Sequence, residues 1–156
     1  MKICKLNENA KTPTYAHEND ACFDLYAATV AGNSHIGQIV YDGSPLICGT
    51  GLAFEVPPGY AMLVFSRSGH GFKHGVRLSN CVGVVDAEFS GEVMVQLTCD
   101  APSEDMWGKE LPAYKVNIGD RIAQAMLVAV PRVSFQVVEQ LGLTERGTGG
   151  FGSSGV

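Results

Sequence analysis

Glycine and proline interrupt this chain too often for long helices to form. The 156 residues include 19 glycines and 7 prolines, and inside a helix a glycine costs about 1 kcal/mol and a proline about 3 kcal/mol relative to alanine. Only residues 14–31 extend beyond a dozen positions without either residue. We therefore exclude a helical bundle or a coiled coil and expect one domain built from short strands.

Short apolar or alternating segments, separated by turn residues, follow one another along the chain. Residues 60–65 are apolar throughout, which is typical of a buried strand. In residues 92–98 apolar side chains recur at alternate positions, and residues 122–130 form a further apolar run. Residues 134–141 alternate more weakly. This pattern predicts an all-β sandwich or barrel.

The secondary structure of three further segments is less evident from the sequence. Residues 14–31 have some helical propensity, but their β-branched and aromatic side chains favour strand, so we predict mostly strand there. Residues 72–80 have room for the one short helix that we expect at most. Residues 146–156 are rich in glycine and cannot bury enough surface on their own to stay ordered, which predicts a flexible tail.

Charge and cysteine content exclude several functional classes. The formal net charge is −5, the opposite of the basic surface that a nucleic-acid-binding protein needs. No apolar run approaches the ~18 residues of a membrane-spanning helix, and the N-terminus lacks the apolar core of a signal peptide. The five cysteines include no C-x-x-C pair, which argues against a disulfide framework and a zinc site. We expect reduced, mostly buried thiols and a cytoplasmic location.

Two polar segments follow apolar runs directly. Arg67, Ser68 and Gly69 form the first, and a guanidinium beside a glycine-containing turn is suited to holding a phosphate. Asp86 opens the second, with Phe89 three residues later, and a carboxylate at the end of a strand can act as a general base toward water. Taken alone, each segment is explained as well by an ordinary turn and a core aromatic side chain.

Two further segments complete the set. Residues 119–124 form a turn that enters a strand, where Arg121 would pair with Asp120 or another acid. The glycine tail carries Arg146 and Phe151 and is not a P-loop, because no Lys-Ser/Thr follows its glycines. It is either a disordered tail or a flap that wraps a ligand, with Phe151 stacked on a flat ring.

One pair of histidines resembles a metal site only superficially. His70 and His74 lie four residues apart, but no glutamate stands beside them, and glycines around them disfavour a helix. We expect two solvated histidines there.

The order of these segments is far more specific than any one of them. Together they resemble the five ordered motifs of the trimeric dUTPases (deoxyuridine triphosphate nucleotidohydrolases), and the resemblance extends from about residue 13 to the C-terminus. It is particularly close to bacterial members over residues 67–97. The matching segments are residues 21–28 (ACFDLYAA), 67–69 (RSG), 83–86 (GVVD), 119–124 (GDRIAQ) and 146–153 (RGTGGFGS).

The resemblance implies a jelly-roll-like β-sandwich that assembles as a homotrimer, with a β domain of residues 1–145 and a flap of residues 146–156. Each of three interfacial sites would combine the Arg67 segment of one subunit, the Asp86 hairpin of a second and the tail of the third. The implied reaction is hydrolysis of dUTP to dUMP and pyrophosphate by attack of water at the α-phosphorus. It would limit uracil in DNA and supply dUMP for thymidylate synthesis. Mg²⁺ would be bound through the triphosphate and water, with no protein ligand.

The resemblance also implies residue roles. Asp86 would orient and deprotonate the water and contact the sugar 3′-hydroxyl, and Phe89 would lie under the deoxyribose. Asp24 would support the water shell of Mg²⁺. Uracil would be recognised by Asn80 and by main-chain groups near Val84, Val85 and Met94, with Phe151 stacked on the ring. The phosphates would be held by Arg67, Ser68, Gly69, Gln124, Arg146 and Ser153.

Three positions depart from the family pattern: Phe89 replaces the usual Tyr, Ser66 a usual Pro and Cys22 a customary Gly. We expect a less rigid phosphate turn at Ser66. One alternative is a dCTP deaminase, which shares the fold and trimer but prefers Arg-Ser-Ser and needs a glutamate on the strand around residues 95–97. Another is a binding or signalling module that uses residues 100–114 as a partner surface, and a third is an inert jelly-roll interaction protein.

Overall fold

The structure, a computed structural model, describes residues 1–30, 36–39, 45–101, 107, 109 and 114–150. Twelve strands and one short helix occur in these residues. In chain order they are β1 (Lys2–Lys5), β2 (Phe23–Tyr26), β3 (Thr29–Val30), β4 (Ile36–Ile39), β5 (Leu46–Gly49), β6 (Leu52–Glu55), β7 (Tyr60–Phe65), α1 (Ser68–His74), β8 (Val76–Leu78), β9 (Val82–Val85), β10 (Met94–Cys99), β11 (Tyr114–Asn117) and β12 (Arg121–Ala129).

Two antiparallel sheets of four strands make up the body. Their strand orders are β2-β12-β7-β9 and β3-β5-β10-β8, and the pairs β1-β6 and β11-β4 form two smaller sheets. One apolar core draws side chains from both large sheets, such as Met62 and Ile122 from the first and Leu78 and Leu97 from the second. This architecture confirms the predicted all-β, jelly-roll-like fold with at most one short helix.

The strongest strand predictions are confirmed. Residues 60–65 coincide with β7, which is antiparallel to both β12 and β9. In and just before β10, Val93, Val95 and Leu97 are buried at alternate positions, as the period of two requires. Within residues 14–31, strand is limited to an isolated bridge at Thr14 and to β2 and β3.

The prediction for residues 15–22 was wrong because a side chain closes a local turn there. The Asp20 carboxylate accepts a hydrogen bond from the His17 N–H at 2.9 Å, and the Asp20 N–H donates to the His17 carbonyl at 3.2 Å. Such aspartate turns compete with strand pairing whatever the propensity of the neighbouring residues.

The helix begins four residues before its predicted range and overlaps it only over residues 72–74. It spans Ser68–His74 and ends at Gly75, whose φ of 64° places it in the left-handed region and closes the helix. Residues 76–78, which we assigned to the helix, pair instead with β10 as β8. Burial of His70 stabilises the helix despite its two glycines, so the expectation of a solvated histidine was wrong at this position.

Residues 134–141 form no strand, contrary to prediction, and no described strand lies beside them. Phe135 and Val137 are more than nine-tenths exposed and Leu141 nearly so. A strand needs a neighbour to satisfy its main-chain groups, and the described residues supply none here.

Most of the cysteine thiols lie outside the buried core. All five cysteines are unpaired, but only Cys48 and Cys99 are buried, so the expectation of mostly buried thiols was wrong. Among the described residues, no helix has the length and apolar character needed to cross a membrane.

Candidate active site formed by two clefts

The first cleft, here called the hairpin cleft, opens where two neighbouring strands enter different sheets. β8 pairs with β10, whereas β9 pairs with β7. Cys81, with a φ of 64°, makes the turn between them. The resulting cavity of about 400 Å³ is lined by six residues predicted to bind substrate or act on it: Asn80, Val84, Val85, Asp86, Phe89 and Met94.

Main-chain groups face this cleft from both sides. β9 is an edge strand, so one row of its N–H and C=O groups has no strand partner among the described residues. On β10 the Gln96 carbonyl accepts a bond from the Ser79 N–H at 2.8 Å, at the edge that β8 occupies further along. Main-chain groups of alternate residues point to the same edge, so those of Met94 point there too, beyond the end of β8. These are groups able to recognise a base edge.

Asp86 and Phe89 form the turn at the mouth of the hairpin cleft. The Phe89 N–H donates to the main-chain carbonyl of Asp86 at 3.1 Å, and no described residue donates a hydrogen bond to the Asp86 carboxylate. The Phe89 ring is 46% exposed and covers Gly91, where a Cβ atom would lie 2.8 Å from the ring. The Glu92 carboxylate accepts the Gly51 N–H at 2.7 Å and anchors the end of this turn.

The second cleft, here called the arginine cleft, has a volume of about 370 Å³. It gathers the four predicted phosphate-binding residues Arg67, Ser68, Gly69 and Gln124, together with Asp24 and Arg121. The Asp24 carboxylate is only 14% exposed and lies 3.5 Å from Nε of Arg67 and 3.2 Å from Nη1 of Arg121. A largely buried carboxylate requires such partners. Arg121 thus pairs with Asp24, while Asp120 accepts the Asn117 N–H at 2.7 Å.

Hydrogen bonds hold the turn that leads into this cleft. The Ser66 carbonyl accepts a bond from Gln124 Nε2 at 2.9 Å, and the Ser66 hydroxyl accepts the Leu78 N–H at 2.9 Å. Ser66 is therefore bonded through both its main chain and its side chain, contrary to the less rigid turn that we expected there. Ser68 and Gly69 begin α1, where N–H groups have no partner within the helix.

His70 is a residue of this region that the sequence did not single out for function. Its Nε2 atom lies 2.8 Å from Nη1 of Arg67, and its side chain is 8% exposed. Burial, and then the guanidinium of Arg67, lower the pKa of His70 to about 4. Its position three residues after Arg67 was the available sequence signal. That spacing indicates a contact with Arg67 only when the two residues are known to lie at the start of α1.

The two clefts share no lining residue, and the Asp86 turn and Arg67 lie toward opposite ends of β7. Val85 lies opposite Met62, near the start of β7, whereas Arg67 is five residues beyond Met62. With about 3.4 Å per extended residue, Arg67 and the base of the Asp86 turn are roughly 17 Å apart. Within one chain, Arg67 cannot hold a phosphate that lies beside Asp86.

The remaining predicted residues join neither cleft in this chain. Nε of Arg146 donates to the Gly149 carbonyl at 2.8 Å, in an exposed turn of the tail. Phe151 and Ser153 lie outside the described residues. In the described part of the chain, no group of three side chains is arranged to hold a metal ion.

Comparisons with known proteins identify the family. A family model described as dUTPase matches residues 8–155. The chain is 36% identical over 156 residues to the deoxyuridine 5′-triphosphate nucleotidohydrolase of Bordetella avium, covering 99% of this chain and 95% of that protein. It is 40% identical over 144 residues to the enzyme of that name from Pasteurella multocida, covering 92% and 86%.

The fold comparison agrees. A variant of the Staphylococcus bacteriophage 80alpha dUTPase with dUpNHpp superposes with a TM-score of 0.83 and 25% sequence identity, covering 99% of this chain and 98% of that one. With the strand arrangement and the ordered motifs, these matches confirm the resemblance drawn from the sequence: the chain belongs to the dUTPase family.

Proposed function

We propose that this chain hydrolyses dUTP to dUMP and pyrophosphate. The observation that carries the proposal is the hairpin cleft, where Asp86, Phe89, Asn80 and unpaired main-chain groups line one cavity. The family match and relatives named for this activity support it. A deaminase needs a glutamate on the strand around residues 95–97, whereas this chain has Val95, Gln96 and Leu97.

Asp86 is the general base. Its carboxylate accepts no hydrogen bond from a described side chain or main-chain N–H, so it can accept one from water. The water oxygen bonds to the α-phosphorus, its proton passes to Asp86, and the bond from the α-phosphorus to the bridging oxygen of pyrophosphate breaks. Phosphoryl transfer depends on positioning and charge neutralisation more than on covalent assistance, and arginines such as Arg67 supply positive charge to the phosphates.

Main-chain recognition gives base selectivity. Uracil presents a donor between two acceptors, whereas cytosine presents a different pattern, and a mismatch leaves buried polar groups unpaired at a cost of about 1–3 kcal/mol each. Groups of β9 and of Met94 face the cleft where such an edge would lie, and Asn80 adds a side-chain amide. The Phe89 ring lies under the deoxyribose and leaves no room for a 2′-hydroxyl.

The active unit is a homotrimer with shared sites. Two observations support this arrangement: Arg67 and Asp86 are too far apart in one chain to contact adjacent atoms of one substrate, and residues 133–143 expose apolar side chains that a second copy would bury. Residues 1–145 form the β domain and residues 146–156 a flap over a neighbouring site. In this arrangement Arg146 and Ser153 bind the γ-phosphate end and Phe151 stacks on uracil.

Mg²⁺ fits this site only as an ion carried by the substrate. The described residues offer no cluster of three ligands, and Mg²⁺ commonly binds through substrate phosphates, waters and few carboxylates. When bound it neutralises phosphate charge. Asp24, which we expect to support its water shell, lies beside Arg67 and Arg121 in this chain.

The proposal includes the cellular location of the enzyme and its partners. Five unpaired cysteines favour the reducing cytoplasm, and the net charge of −5 disfavours nucleic acid as a partner. The expected partner surface at residues 100–114 lies mostly outside the described residues, with residues 102–106, 108 and 110–113 all outside them.

The test is release of pyrophosphate from dUTP, dCTP, dTTP and UTP in parallel with Mg²⁺, with ammonia monitored on dCTP. We expect release from dUTP alone. Ammonia from dCTP would assign the chain to the deaminases, and binding of dUTP without any turnover would leave only a binding module.

A further inference from the structure

His70 is buried against the arginine that we place on the substrate phosphates. It sits in the first turn of α1, three residues after Arg67, and both its N–H and that of Gly71 donate to the Arg67 carbonyl at 3.1 Å. This local turn brings the imidazole back onto the guanidinium. Nη1 of Arg67 lies 2.8 Å from Nε2 of His70 and 3.2 Å from the Arg121 carbonyl.

The donors and acceptors define the protonation of the ring. A guanidinium can only donate hydrogen bonds, so a hydrogen bond from Arg67 requires an unprotonated, accepting Nε2 on His70 and places the proton of the neutral ring on Nδ1. In this tautomer the Tyr114 hydroxyl, 2.9 Å from the same Nε2 atom, is a second donor that competes with Arg67 for it. A proton on Nε2 would instead face the N–H of Arg67.

The surroundings keep the ring neutral. His70 is 8% exposed, and the positive groups that face it are Arg67 and His74 from its own segment and Arg121 from β12. Asp120 opposes them weakly, and Tyr114 covers the ring from β11 with a centroid separation of 5.2 Å. Burial and these cations together lower the pKa of His70 to about 4.

Arg67 lines the arginine cleft, and its described contacts engage only part of its guanidinium. Nε faces Asp24 at 3.5 Å, and Nη1 is shared between His70 and the Arg121 carbonyl. No hydrogen bond to another described residue engages Nη2. A planar group held at two of its three nitrogens has a defined orientation, which is what bidentate phosphate binding requires.

We propose that His70 is a positioning residue for Arg67: its Nε2 accepts a hydrogen bond from Nη1 and thereby directs Nη2 toward the substrate phosphates. The inference rests on the proposed function, which assigns those phosphates to Arg67. It adds a residue outside the ordered motifs to the phosphate site, and it identifies an accepting nitrogen, not bulk or charge, as the property needed at position 70.

Substitutions at position 70 separate these properties. H70L keeps an apolar side chain of similar reach without an acceptor, and we expect it to weaken binding of dUpNHpp by about fivefold to tenfold. H70Q offers an amide oxygen near the place of Nε2 and should bring the affinity back to within about threefold of the original chain. H74L is the matched control, because His74 stacks on Tyr114 at 4.6 Å but makes no bond to Arg67; it should leave affinity unchanged.

Three measurements keep the test independent of turnover and folding. In an R67A background, H70L should change dUpNHpp affinity by less than about twofold, because coupled residues lose their effect together. Nitrogen NMR of the R67A and original chains should show the Nδ1–H tautomer of His70 at pH 7 in the original and a pKa closer to 6.5 in R67A. Deoxyuridine, which lacks phosphates, should bind H70L and the original chain alike.

Several outcomes would overturn the inference: H70L binding dUpNHpp as the original chain does, H70Q failing as fully as H70L, H70L acting with full effect in R67A, or a proton found on Nε2. Failure of the original chain to release pyrophosphate from dUTP would instead refute the proposed function, while the tautomer and pKa measurements would still test the contact between His70 and Arg67.

Discussion

Two inactive variants of this chain, R67A and D86N, should restore activity when they assemble together. In one chain Arg67 and the Asp86 turn lie roughly 17 Å apart along β7, so we place them in different copies around each shared site. R67A removes the phosphate-binding arginine and leaves Arg121 to pair with Asp24. D86N keeps the shape of the carboxylate and removes its basicity.

The expected recovery of activity equals the fraction of sites that contain both an intact Arg67 and an intact Asp86. Loss of a general base or of a charged phosphate ligand costs about 10²-fold or more, so each parent should retain about 1% or less of the activity. In an equal mixture, a site receives an intact Arg67 from one chain and an intact Asp86 from another in about one quarter of cases, for any closed ring of identical subunits. Purification through both tags removes trimers of a single variant, and each mixed trimer has one such site in three, so the mixed assembly should have about one third of the original specific activity.

The assay is pyrophosphate release from dUTP after the two variants are co-expressed with different affinity tags and purified through both tags in succession. Light scattering on the same sample reports the assembly size, for which we expect three chains. The matched control is D86N carrying one tag co-purified with D86N carrying the other, which should remain at the background of the parent.

The reasoning would be refuted by a mixed assembly that is no more active than its parents, because each site would then take both residues from one chain. Full activity of the original protein as a monomer would refute it equally. Recovery well above one third would show that one of the two residues is not essential, which the parents measured alone would reveal.

Three further outcomes follow from particular contacts. G91A places a methyl group against the Phe89 ring, and we expect this to raise the KM for dUTP about fivefold. Because both residues are exposed, the melting temperature should change little. An unchanged KM would show that Phe89 is not part of the sugar site. Deletion of residues 146–156 should collapse turnover while light scattering still reports a trimer, and loss of the trimer would contradict a flap outside the body. Burial raises the pKa of Cys48 to about 12, so iodoacetamide at pH 8 should alkylate exposed Cys4 and spare Cys48 in mass spectra of the folded protein; labelling of Cys48 would contradict the packing.

Sequence periodicity predicted those strands whose burial repeats locally. Residues 60–65 and 92–98 have the apolar runs and alternation of β7 and β10, and these strands lie where the pattern places them. The pattern failed at residues 134–141, where a weak alternation met no neighbouring strand in the described chain. An alternating segment becomes a strand only when another segment is available to pair with it.

In the helix, tertiary contacts outweighed the local propensity of the sequence. Glycines at positions 69 and 71 argued against a helix before residue 72, but burial of His70 and the left-handed cap at Gly75 stabilise one there. Residues 76–78 pair with β10 and therefore form strand β8 and not a continuation of the helix. Intrinsic propensities of a few tenths of a kcal/mol to about 1 kcal/mol are readily outweighed by burial and pairing of this kind.

The sequence by itself determined the all-β class, the family and the residue types of the site, because strand periodicity and the order of short motifs are local properties of the chain. Tertiary structure alone decided how those residues group. It joined Asp24 to Arg121 across 97 positions, placed His70 against Arg67, and separated Arg67 from Asp86 by the length of β7. Such groupings depend on strand pairing between distant segments, and no local pattern of side chains encodes which segments pair or in what register.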